Sequence, residues 1–416
     1  MEKVRVGVIG ARRGGNLIDY CLTAEHAQVV AICEKRQDLI DEYKEKSPDV
    51  AFYQDYDEFL THDMDAVVLA NYATEHAPFA IKALNAGFHV YSEVLPARTL
   101  KEAVELVETV EKTGKIYAYG ENYCFMRSPY EMRRLYRAGK IGEFEYGEGE
   151  YFHNCESCWP DITYGEPDHW RNHVFSTYYC THSLGPIIHI TGLRPVAVIG
   201  LESPFVQRRE RVGSHASNFG MEIVKLENGA IVKSGHGSLY KHSVWYSMYG
   251  SKGRMESERH DVNGSEANYI YVNADEYECQ YDGDHYERYE PEFDAEWVKT
   301  GHGGSDAAIL WNFIEKIRGN EKADIIDIYE AMDMFLPGLF AYRSIMNGNR
   351  EEKIPNFRIK EERDLWRNDV TCTDRAIAGD SYVPPCSLGY KEIPAEVYDR
   401  VREKFEESVR EHKPQR

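Results

Sequence analysis

Short apolar runs alternate with amphipathic segments through the first third of the chain. Residues 4–9 and 29–33 are apolar runs separated by one helix length, and residues 66–70 are apolar throughout, as in a strand buried within a parallel sheet. The same pattern predicts helices over 76–86 and 100–112 and strands over 88–92 and 116–119. We therefore expect an α/β fold class, beginning with a Rossmann-type doubly wound parallel sheet that ends near Gly120.

The pattern changes after this point. An amphipathic helix is predicted over 130–138, and helices are predicted over 306–318 and 329–345. Between them lie alternating segments that predict a large open, mostly antiparallel sheet, at 143–152, 196–201, 222–225, 230–234 and 246–249. We expect three regions: a dinucleotide-binding Rossmann domain (1–120), an α+β domain for substrate binding and oligomerisation (121–355), and an extension packed on the body (356–416).

A glycine turn follows the first apolar run and begins a helix. Gly10 supplies the tight turn and Gly15 the close packing of helix on strand, whereas Arg12 occupies the position of the middle glycine. A guanidinium there can contact a pyrophosphate, and Arg13 is a second candidate for the same cofactor. Glycine turns after strands are common, so an α/β domain with an empty crevice is the alternative.

Glu34 ends the second predicted strand, where an acid can accept hydrogen bonds from the adenosine ribose hydroxyls. Its carboxylate would repel a 2′-phosphate, which favours NAD as the cofactor. Lys35 and Arg36 follow it and can offset that repulsion, so NADP remains the less favoured alternative.

Composition narrows the classes of partner. The formal net charge of −21 over 416 residues disfavours nucleic acids and anionic membranes. No apolar run approaches transmembrane length, no secretory leader is visible, and the nine cysteines are typical of reduced thiols, so we expect a cytoplasmic protein. The 30 tyrosines suit a sugar-sized cleft, although a core or an interface would use them equally well.

Several motifs together resemble the Gfo/Idh/MocA oxidoreductase family over residues 4–355. Besides the glycine turn they are the loop at 71–76, the stretch 86–90 leading to Glu93, and Gly139-Lys140-Ile141-Gly142-Glu143. The resemblance implies an NAD(P)-dependent enzyme acting on a small carbohydrate, and homo-oligomers that pair through the open sheet. It also implies cofactor contacts from Asn71, His76, Glu93 and Asn122.

The departures from the family pattern concern its proton-handling groups. Val94 stands where most of these oxidoreductases have a lysine after Glu93. In the downstream motif His182 is kept, but Tyr178 and Gly185 replace its two aspartates. An ordinary sugar dehydrogenase of the family would therefore lack its lysine.

The replacements resemble the NAD-dependent glycoside hydrolase branch, typified by glycoside hydrolase family 109. The stretches that carry this resemblance are Glu121-Asn122-x-Cys124-Phe125-x-Arg127, Trp170-Arg171-Asn172-His173, Tyr179-x-Thr181-His182-x-Leu184-Gly185-Pro186 and Gly301-His302-Gly303-Gly304-x-Asp306. The resemblance implies glycoside cleavage by transient oxidation of a sugar carbon, commonly C3, followed by elimination, water addition and re-reduction.

Such a cycle needs two bases and an acid. We expect His182 to be the partner of the oxidised hydroxyl, Tyr179 the base for the C–H proton, and Glu121 a further acid–base group. His182 and Tyr179 are three residues apart, so on a helical turn they face one cleft. A tyrosine base needs its pKa lowered by a cation, which Arg171 or His173 can supply.

The candidate substrate-binding residues come from the same stretches and from one aromatic position beyond them. They are Trp170, Arg171, His173, Tyr240, His302 and Asp306. Each has an ordinary structural alternative, such as packing or a buried hydrogen bond. For Asp306 that alternative is a place at the start of a helix.

His153, Cys155 and Cys158 form half of a zinc-site pattern. A complete tetrahedral site needs a second ligand pair, and no paired cysteine motif accompanies them. We therefore expect no metal.

Three functions remain open from the sequence. The first is the NAD-dependent glycosidase, and the second is a sugar or cyclitol dehydrogenase with net hydride transfer. The third is a non-catalytic, regulatory NAD-binding protein. The missing lysine disfavours the second, and the cluster around His182 disfavours the third.

Overall fold

A computed structural model describes residues 2–259, 269–274, 287–294, 297 and 300–411 of the chain. Its strands form two sheets. Within the described residues, no helix is both long and apolar enough to cross a membrane.

The first sheet is parallel and lies in the N-terminal part of the chain. Its strands are β1 (Val4–Ile9), β2 (Ala27–Cys33), β3 (Ala51–Tyr53), β4 (Ala66–Leu69), β5 (His89–Glu93) and β6 (Tyr117–Gly120). They are connected by α1 (Ala11–Thr23), α2 (Gln37–Lys46), α3 (Tyr56–Phe59), α4 (His76–Asn85) and α5 (Leu100–Thr113). The strand order β3-β2-β1-β4-β5-β6 confirms the predicted doubly wound sheet. The order reverses between β1 and β4, which is where such folds open a crevice for a ligand.

The second sheet is mostly antiparallel. It contains β7 (Phe144–Phe152), β8 (Pro195–Glu202), β9 (Phe219–Leu226), β10 (Ile231–Gly237), β11 (Ser243–Gly250), β12 (Gly253–Ser257), β13 (Ile270–Ala274), β14 (Glu287–Tyr289) and β15 (Glu352–Lys353). The order is β14-β13-β12-β11-β7-β10-β9-β8-β15, in which β7 and β10 are the parallel pair. The predicted large, mostly antiparallel sheet is therefore confirmed.

Further helices accompany this sheet. They are α6 (Arg127–Arg137), α7 (Trp159–Thr163), α8 (Thr181–Thr191), α9 (Gln207–Val212), α10 (Ser305–Ile317), α11 (Ile328–Met346), α12 (Lys360–Asp364), α13 (Arg375–Ala378) and α14 (Ala395–Glu411). The division into the regions 1–120, 121–355 and 356–416 stays a prediction.

Glycines bring two helices into close contact with the second sheet. A Cβ on Gly149 of β7 would lie 1.8 Å from the carbonyl oxygen of Ser183 in α8. A Cβ on Gly200 of β8 would lie 2.1 Å from the carbonyl oxygen of Ala341 in α11. Because backbone cannot retreat as a side chain can, each position requires glycine. The first contact sets the height of α8 above the sheet, next to His182.

A glycine also brings α1 against the parallel sheet, but it is not the predicted one. A Cβ on Gly14 would lie 3.0 Å from Cγ1 of Val8 in β1. Gly15 instead faces the Tyr43 hydroxyl of α2, which would be 2.9 Å from its Cβ. The packing role expected of Gly15 therefore belongs to Gly14, because helical periodicity turns Gly14 towards the strand and Gly15 towards the neighbouring helix.

We predict that Gly149→Ala destabilises the protein by about 1–3 kcal/mol, the usual effect of overpacking a close contact. The added methyl would push α8 away from β7. Chemical unfolding monitored by circular dichroism measures the loss. Gly235→Ala on β10 is the matched control, since its Cβ would lie 3.3 Å from the edge of the Phe219 ring. Equal stability of the Gly149 and Gly235 variants would contradict the assigned contact.

Candidate active site

His182 lies in the first turn of α8 and is buried against Glu121, which follows β6. Nδ1 of His182 donates to Oε1 of Glu121 over 2.7 Å. The backbone N–H of Tyr123 donates to the same oxygen over 3.2 Å, and the Tyr246 hydroxyl donates to the His182 carbonyl over 2.6 Å. No described residue is a hydrogen-bond partner of His182 Nε2. A carboxylate that holds Nδ1–H leaves Nε2 as the nitrogen that can accept a proton.

The acidic partner of His182 occupies space that a glycine provides. A Cβ on Gly185, one helical turn after His182, would lie 3.1 Å from Cγ of Glu121. Gly185 stands at one of the two positions where the wider family has an aspartate. A carboxylate is therefore present beside the imidazole, but it comes from a different element of the chain. The second oxygen of Glu121 is buried without a hydrogen-bond partner among the described residues.

Three tyrosine rings surround the imidazole. The ring centroids of Tyr123, Tyr151 and Tyr179 lie 4.3, 4.7 and 5.1 Å from that of His182. Tyr179 precedes α8 and its ring contacts that of His182. The expectation that both side chains face one cleft stays a prediction. Tyr123 and Tyr151 were not predicted. Tyr123 lies inside the motif that begins with Glu121, and Tyr151 lies near the end of a predicted strand. These positions are the only sequence signals that could have placed the two tyrosines in the site.

Arg171 links Tyr179 to Trp170. Its guanidinium donates to the Tyr179 hydroxyl over 2.9 Å and lies 4.9 Å from the centroids of both the Trp170 and the Tyr179 rings. Burial raises the pKa of Tyr179, and Arg171 lowers it without cancelling the effect of burial. The expected cation is therefore present, but the expectation of a lowered pKa is wrong for this state, because removal of the phenolate from water outweighs one positive charge.

The structure does not bring His173 or Tyr240 into this cluster. Nε2 of His173 donates to the carbonyl oxygen of Pro167 over 2.9 Å, and its ring stacks on His215. Of the two cations expected beside Tyr179, Arg171 makes the contact and His173 does not. Tyr240 is 67% exposed, and its ring contacts Arg208 and Lys241. Sugar binding by either residue stays a prediction.

Asp306 is fully buried in the first turn of α10 and holds several elements together. Its carboxylate accepts two hydrogen bonds of 3.0 Å from Arg13 and one of 3.1 Å from Asn16, both on α1. Asn122 and His302 donate to it over 2.9 Å each. Burial raises the pKa of Asp306, but Arg13 and His302 hold it well below its usual range.

These contacts involve three residues that were expected to bind a ligand, and ligand binding by Asp306, Arg13 and Asn122 stays a prediction. Protein donors contact both oxygens of the Asp306 carboxylate. Arg13 is held between Asp306 and Glu93, with 2.8 Å to the latter carboxylate. The amide nitrogen of Asn122 is likewise bound to Asp306. His302, whose side chain is 39% exposed, is the member of this group that remains open to a ligand.

A cavity of about 790 Å³ lies at the carboxyl ends of β1, β2 and β4. Among its lining residues are Gly10, Arg12, Glu34 and Asn71. Gly10 has φ 87°, and a Cβ there would lie 2.4 Å from the carbonyl oxygen of Ala70. Arg12 is exposed, and its guanidinium lies 3.8 Å from Asp161. A glycine-lined cradle at this point of a doubly wound sheet has the shape that a dinucleotide requires.

The polar groups of the cavity also fit a dinucleotide. Glu34 accepts hydrogen bonds from the backbone N–H groups of Ala11, Lys35 and Arg36 at 2.7–2.9 Å, which fixes its carboxylate at the rim. The side-chain oxygen of Asn71 is buried and has no hydrogen-bond partner among the described residues. A buried acceptor of this kind can accept a hydrogen bond from a ligand.

His76 is buried between two backbone carbonyl groups. Its Nδ1 lies 2.8 Å from the carbonyl oxygen of Leu95, and its Nε2 lies 3.2 Å from that of Asn71. Burial lowers its pKa to about 4, so the ring is neutral at physiological pH. A neutral imidazole carries one N–H, so His76 donates to one of these two carbonyl oxygens. Contact of His76 with a cofactor stays a prediction.

Glu93 ends β5 and is buried beside Arg13. Burial raises the pKa of Glu93 to about 7, although Arg13 acts in the opposite direction. A carboxyl group that titrates near neutrality makes both the stability and the electrostatics of this region depend on pH.

The cysteine pair lies beside the cluster. Nδ1 of His153 is 2.7 Å from Sγ of Cys155, and Sγ of Cys158 donates to the carbonyl oxygen of Cys155 over 3.4 Å. Across the described parts of the chain, no three or more histidine, cysteine, aspartate or glutamate side chains are grouped to hold a metal ion. The expectation of no metal stays a prediction.

Two protein families match separate parts of this chain. Residues 4–121 match the Gfo/Idh/MocA oxidoreductase family, described by its NAD-binding Rossmann fold, and residues 223–363 match the glycosyl hydrolase 109 C-terminal domain. An α-N-acetylgalactosaminidase of Shewanella oneidensis is 26% identical over an alignment of 397 positions, and the alignment covers 86% of this chain and 85% of the relative. A glycosyl hydrolase family 109 protein of Solibacter usitatus is 26% identical over an alignment of 394 positions, and the alignment covers 85% of this chain and 88% of that protein.

A solved structure has the same fold. It is an oxidoreductase from Agrobacterium radiobacter in complex with NAD⁺, L-tartaric acid and magnesium, with a TM-score of 0.67 and 15% identity. The similarity covers 84% of this chain and 98% of that one.

We predict that Glu93→Gln removes a pH-dependent loss of stability. A folded-state pKa of about 7 lies above the ordinary 4.5, so wild-type stability is complete below about pH 4.5 and is lost as pH rises through 7. The difference is up to about 3 kcal/mol at 1.36 kcal/mol per pKa unit. As the pH rises from 5 to about 8, the free energy of unfolding should fall for the wild type and for the exposed control Glu45→Gln. It should change less for Glu93→Gln. Parallel pH profiles for all three proteins would refute the assignment.

Proposed function

Because the chain belongs to the Gfo/Idh/MocA oxidoreductase family and carries a C-terminal domain of the glycosyl hydrolase 109 type, we propose that it is an NAD-dependent glycosidase. It cleaves a glycoside through transient oxidation at C3, elimination, water addition and re-reduction. The observation that carries this proposal is the buried His182–Glu121 pair next to Tyr179. Val94 occupies the position at which most oxidoreductases of the family have a lysine.

Gly10, Arg12, Glu34 and Asn71 would hold the dinucleotide, which supplies a hydride acceptor and returns the hydride at the end of the cycle. The charges around Glu34 support NAD over NADP. Arg36, one of the two cations that follow Glu34, already donates two hydrogen bonds to Asp38, of 3.1 and 2.5 Å. Its charge is therefore partly neutralised and less available for a 2′-phosphate.

His182 accepts the proton of the hydroxyl that is oxidised. Its Nε2 is the open nitrogen, and Glu121 at Nδ1 stabilises the imidazolium that results. The pair thereby does the work that the absent lysine does elsewhere in the family. The same imidazolium returns the proton when the ketone is reduced, so the pair ends the cycle as it began.

Tyr179 removes the C–H proton that the ketone acidifies. Its phenolic oxygen accepts a hydrogen bond from Arg171, and this contact favours the phenolate over the phenol. Burial acts against the phenolate, so only a fraction of Tyr179 is in the active form at neutral pH. Arg171 is accordingly a positioning residue that also sets how large this fraction is.

The sugar would bind between aromatic faces and a few polar side chains. Trp170 supplies a flat ring braced by Arg171, while Tyr123 and Tyr151 flank His182. His302 presents Nε2, since its Nδ1 is held by Asp306. One sugar to try first is α-N-acetylgalactosamine, because a relative of this chain is named for it.

Homo-oligomer formation and a cytoplasmic location are also part of the proposal. Leu201, Ile231 and Tyr249 lie on three strands of the second sheet and are 44%, 46% and 37% exposed. Apolar side chains on the face of an open sheet favour burial against a second copy of the chain.

The decisive test of the reaction type uses aryl glycosides in deuterated buffer. The proposed cycle releases the aryl alcohol without net change in absorbance at about 340 nm, the NADH band. It also places one solvent deuterium on the sugar carbon next to the transient ketone. A dehydrogenase would instead accumulate NADH in proportion to product, and retention of the substrate hydrogen at that carbon would exclude elimination.

We predict that Tyr179→Phe lowers turnover by about 10²–10⁴-fold, the usual contribution of a positioned acid–base group. Tyr130→Phe makes the same chemical change on the outer side of α6 and should leave turnover unchanged. Initial rates with a released aryl alcohol measure both. Full activity of the Tyr179 variant would remove this residue from the mechanism.

The pH profile of turnover should rise from neutral into alkaline solution, because the phenolate form of Tyr179 becomes more populated. In Arg171→Gln the rise moves to higher pH, since the cation that lowers the pKa of Tyr179 is gone. Rates between pH 6 and about 10 check this order. A rise at the same pH in wild type and Arg171→Gln would contradict the role of Arg171.

Glu34→Gln should lower the ratio of NAD to NADP affinity about tenfold or more, because a charged acceptor for the ribose hydroxyls and a repulsive charge are lost together. Calorimetric titration with each dinucleotide gives the ratio. The exposed control Asp41→Asn on α2 should keep the wild-type ratio. An unchanged ratio in Glu34→Gln would show that the carboxylate does not select the cofactor.

A further inference from the structure

The last described helix reaches the cofactor crevice. Phe405, Glu406, Val409 and Arg410 of α14 line the same cavity as Gly10 and Glu34. They come from the opposite end of the chain, and they lie outside the residues that match either family. The crevice therefore has a wall that the Rossmann fold itself does not supply.

α14 is docked by contacts that leave little freedom. Val397, Tyr398 and Val401 are buried, and the Tyr398 hydroxyl donates to the carbonyl oxygen of Gly213 over 3.2 Å. A Cβ on Gly213 would lie 2.6 Å from the Tyr398 ring.

A second glycine contact lies one turn further along α14. A Cβ on Gly165 would lie 2.6 Å from the backbone nitrogen of Arg402, and Arg402 donates to the carbonyl oxygen of Gly165 over 3.1 Å. The helix thus rests on two glycines at which the backbone comes close, as a fixed element of the fold.

Phe405 lies at the rim of the crevice next to the ribose-binding region. Its ring packs edge-on against Tyr164, with centroids 4.8 Å apart, and the guanidinium of Arg36 lies 5.1 Å from the Phe405 centroid. Arg36 also lies 5.4 Å from the Tyr164 ring and donates its backbone N–H to Glu34. A cation and two aromatic rings therefore stand directly beside the carboxylate proposed to bind the ribose.

We propose that α14 is a clamp on the adenosine half of NAD, with Phe405 and Val409 as its apolar contacts. Aromatic and apolar side chains at this position cover the flat adenine and remove it from water. The clamp deepens the proposed function and rests on NAD being the cofactor. A redox-neutral cycle uses the same cofactor for oxidation and reduction, so it benefits from slow release, whereas a dehydrogenase must exchange its cofactor at each turnover.

The test compares NAD binding by the full-length wild type, Phe405→Ala and Val409→Ala. Glu403→Ala, an exposed position on the same helix, is the matched control. Phe405→Ala should weaken NAD binding about 10- to 100-fold in calorimetric titration, the range of one lost base–aromatic contact, chiefly through faster release in stopped-flow chase. Val409→Ala should act in the same direction with a smaller effect, and Glu403→Ala should match wild type.

Hydrogen exchange provides a second readout that does not depend on the substitutions. Amides of residues 395–411 should exchange more slowly in wild type when NAD is added. Thermal denaturation verifies that each variant is folded. Wild-type affinity and release rate in both Phe405→Ala and Val409→Ala, or no change in exchange of α14 on NAD addition, would overturn the clamp while leaving the proposed function intact. Failure of wild type to bind NAD would overturn the proposed cofactor, and the clamp with it.

Discussion

The buried carboxylate of Asp306 is the interaction on which the geometry of the site depends. It joins α1 of the parallel sheet, through Arg13 and Asn16, to Asn122 after β6 and to His302 before α10. A buried charge is tolerated only when paired and hydrogen-bonded, and removing one partner leaves the rest uncompensated. The network therefore fixes the position of the Rossmann sheet relative to the elements that carry the catalytic candidates.

The acid–base groups of this site come from different residues than those in the wider family pattern. Val94 cannot handle protons, and Gly185 has no side chain, yet a carboxylate contacts His182 because Glu121 fills the space next to Gly185. Arg171 supplies a cation to Tyr179 from a separate turn of the chain. Acid–base groups are thus present in a different arrangement from the one that the wider family pattern implies. This arrangement is the physical basis for proposing elimination instead of simple dehydrogenation.

Much of the fold could be predicted from the sequence because its elements have strong periodicity. The continuous apolar run at β4 follows from burial on both faces, and along β9 every second residue is buried, as on a strand with one covered face. The short strands β3 and β14 have too few residues to show a period. α14 was missed although Val397, Val401 and Phe405 recur at intervals of four, which is a helical signal within a polar segment.

The site was harder to predict than the fold because a motif indicates which residues meet but not what they bond to. The cluster of His182, Glu121, Tyr179 and Arg171 was correctly anticipated as a group. Arg13 and Asn122 both bind Asp306, across a sequence separation that no local pattern reveals. His76 lies within hydrogen-bond distance of two backbone carbonyl oxygens, a setting that its sequence motif does not reveal.

The most direct measurement is a crystal structure of the protein grown with NAD⁺. It tests whether NAD bound in the crevice of the parallel sheet places its nicotinamide ring next to His182. The proposed function predicts electron density for the nicotinamide ring in contact with the His182 side chain, with the adenosine between Glu34 and α14. A dinucleotide whose nicotinamide ring points to solvent, or whose path is closed by Arg13 bound between Glu93 and Asp306, would contradict it.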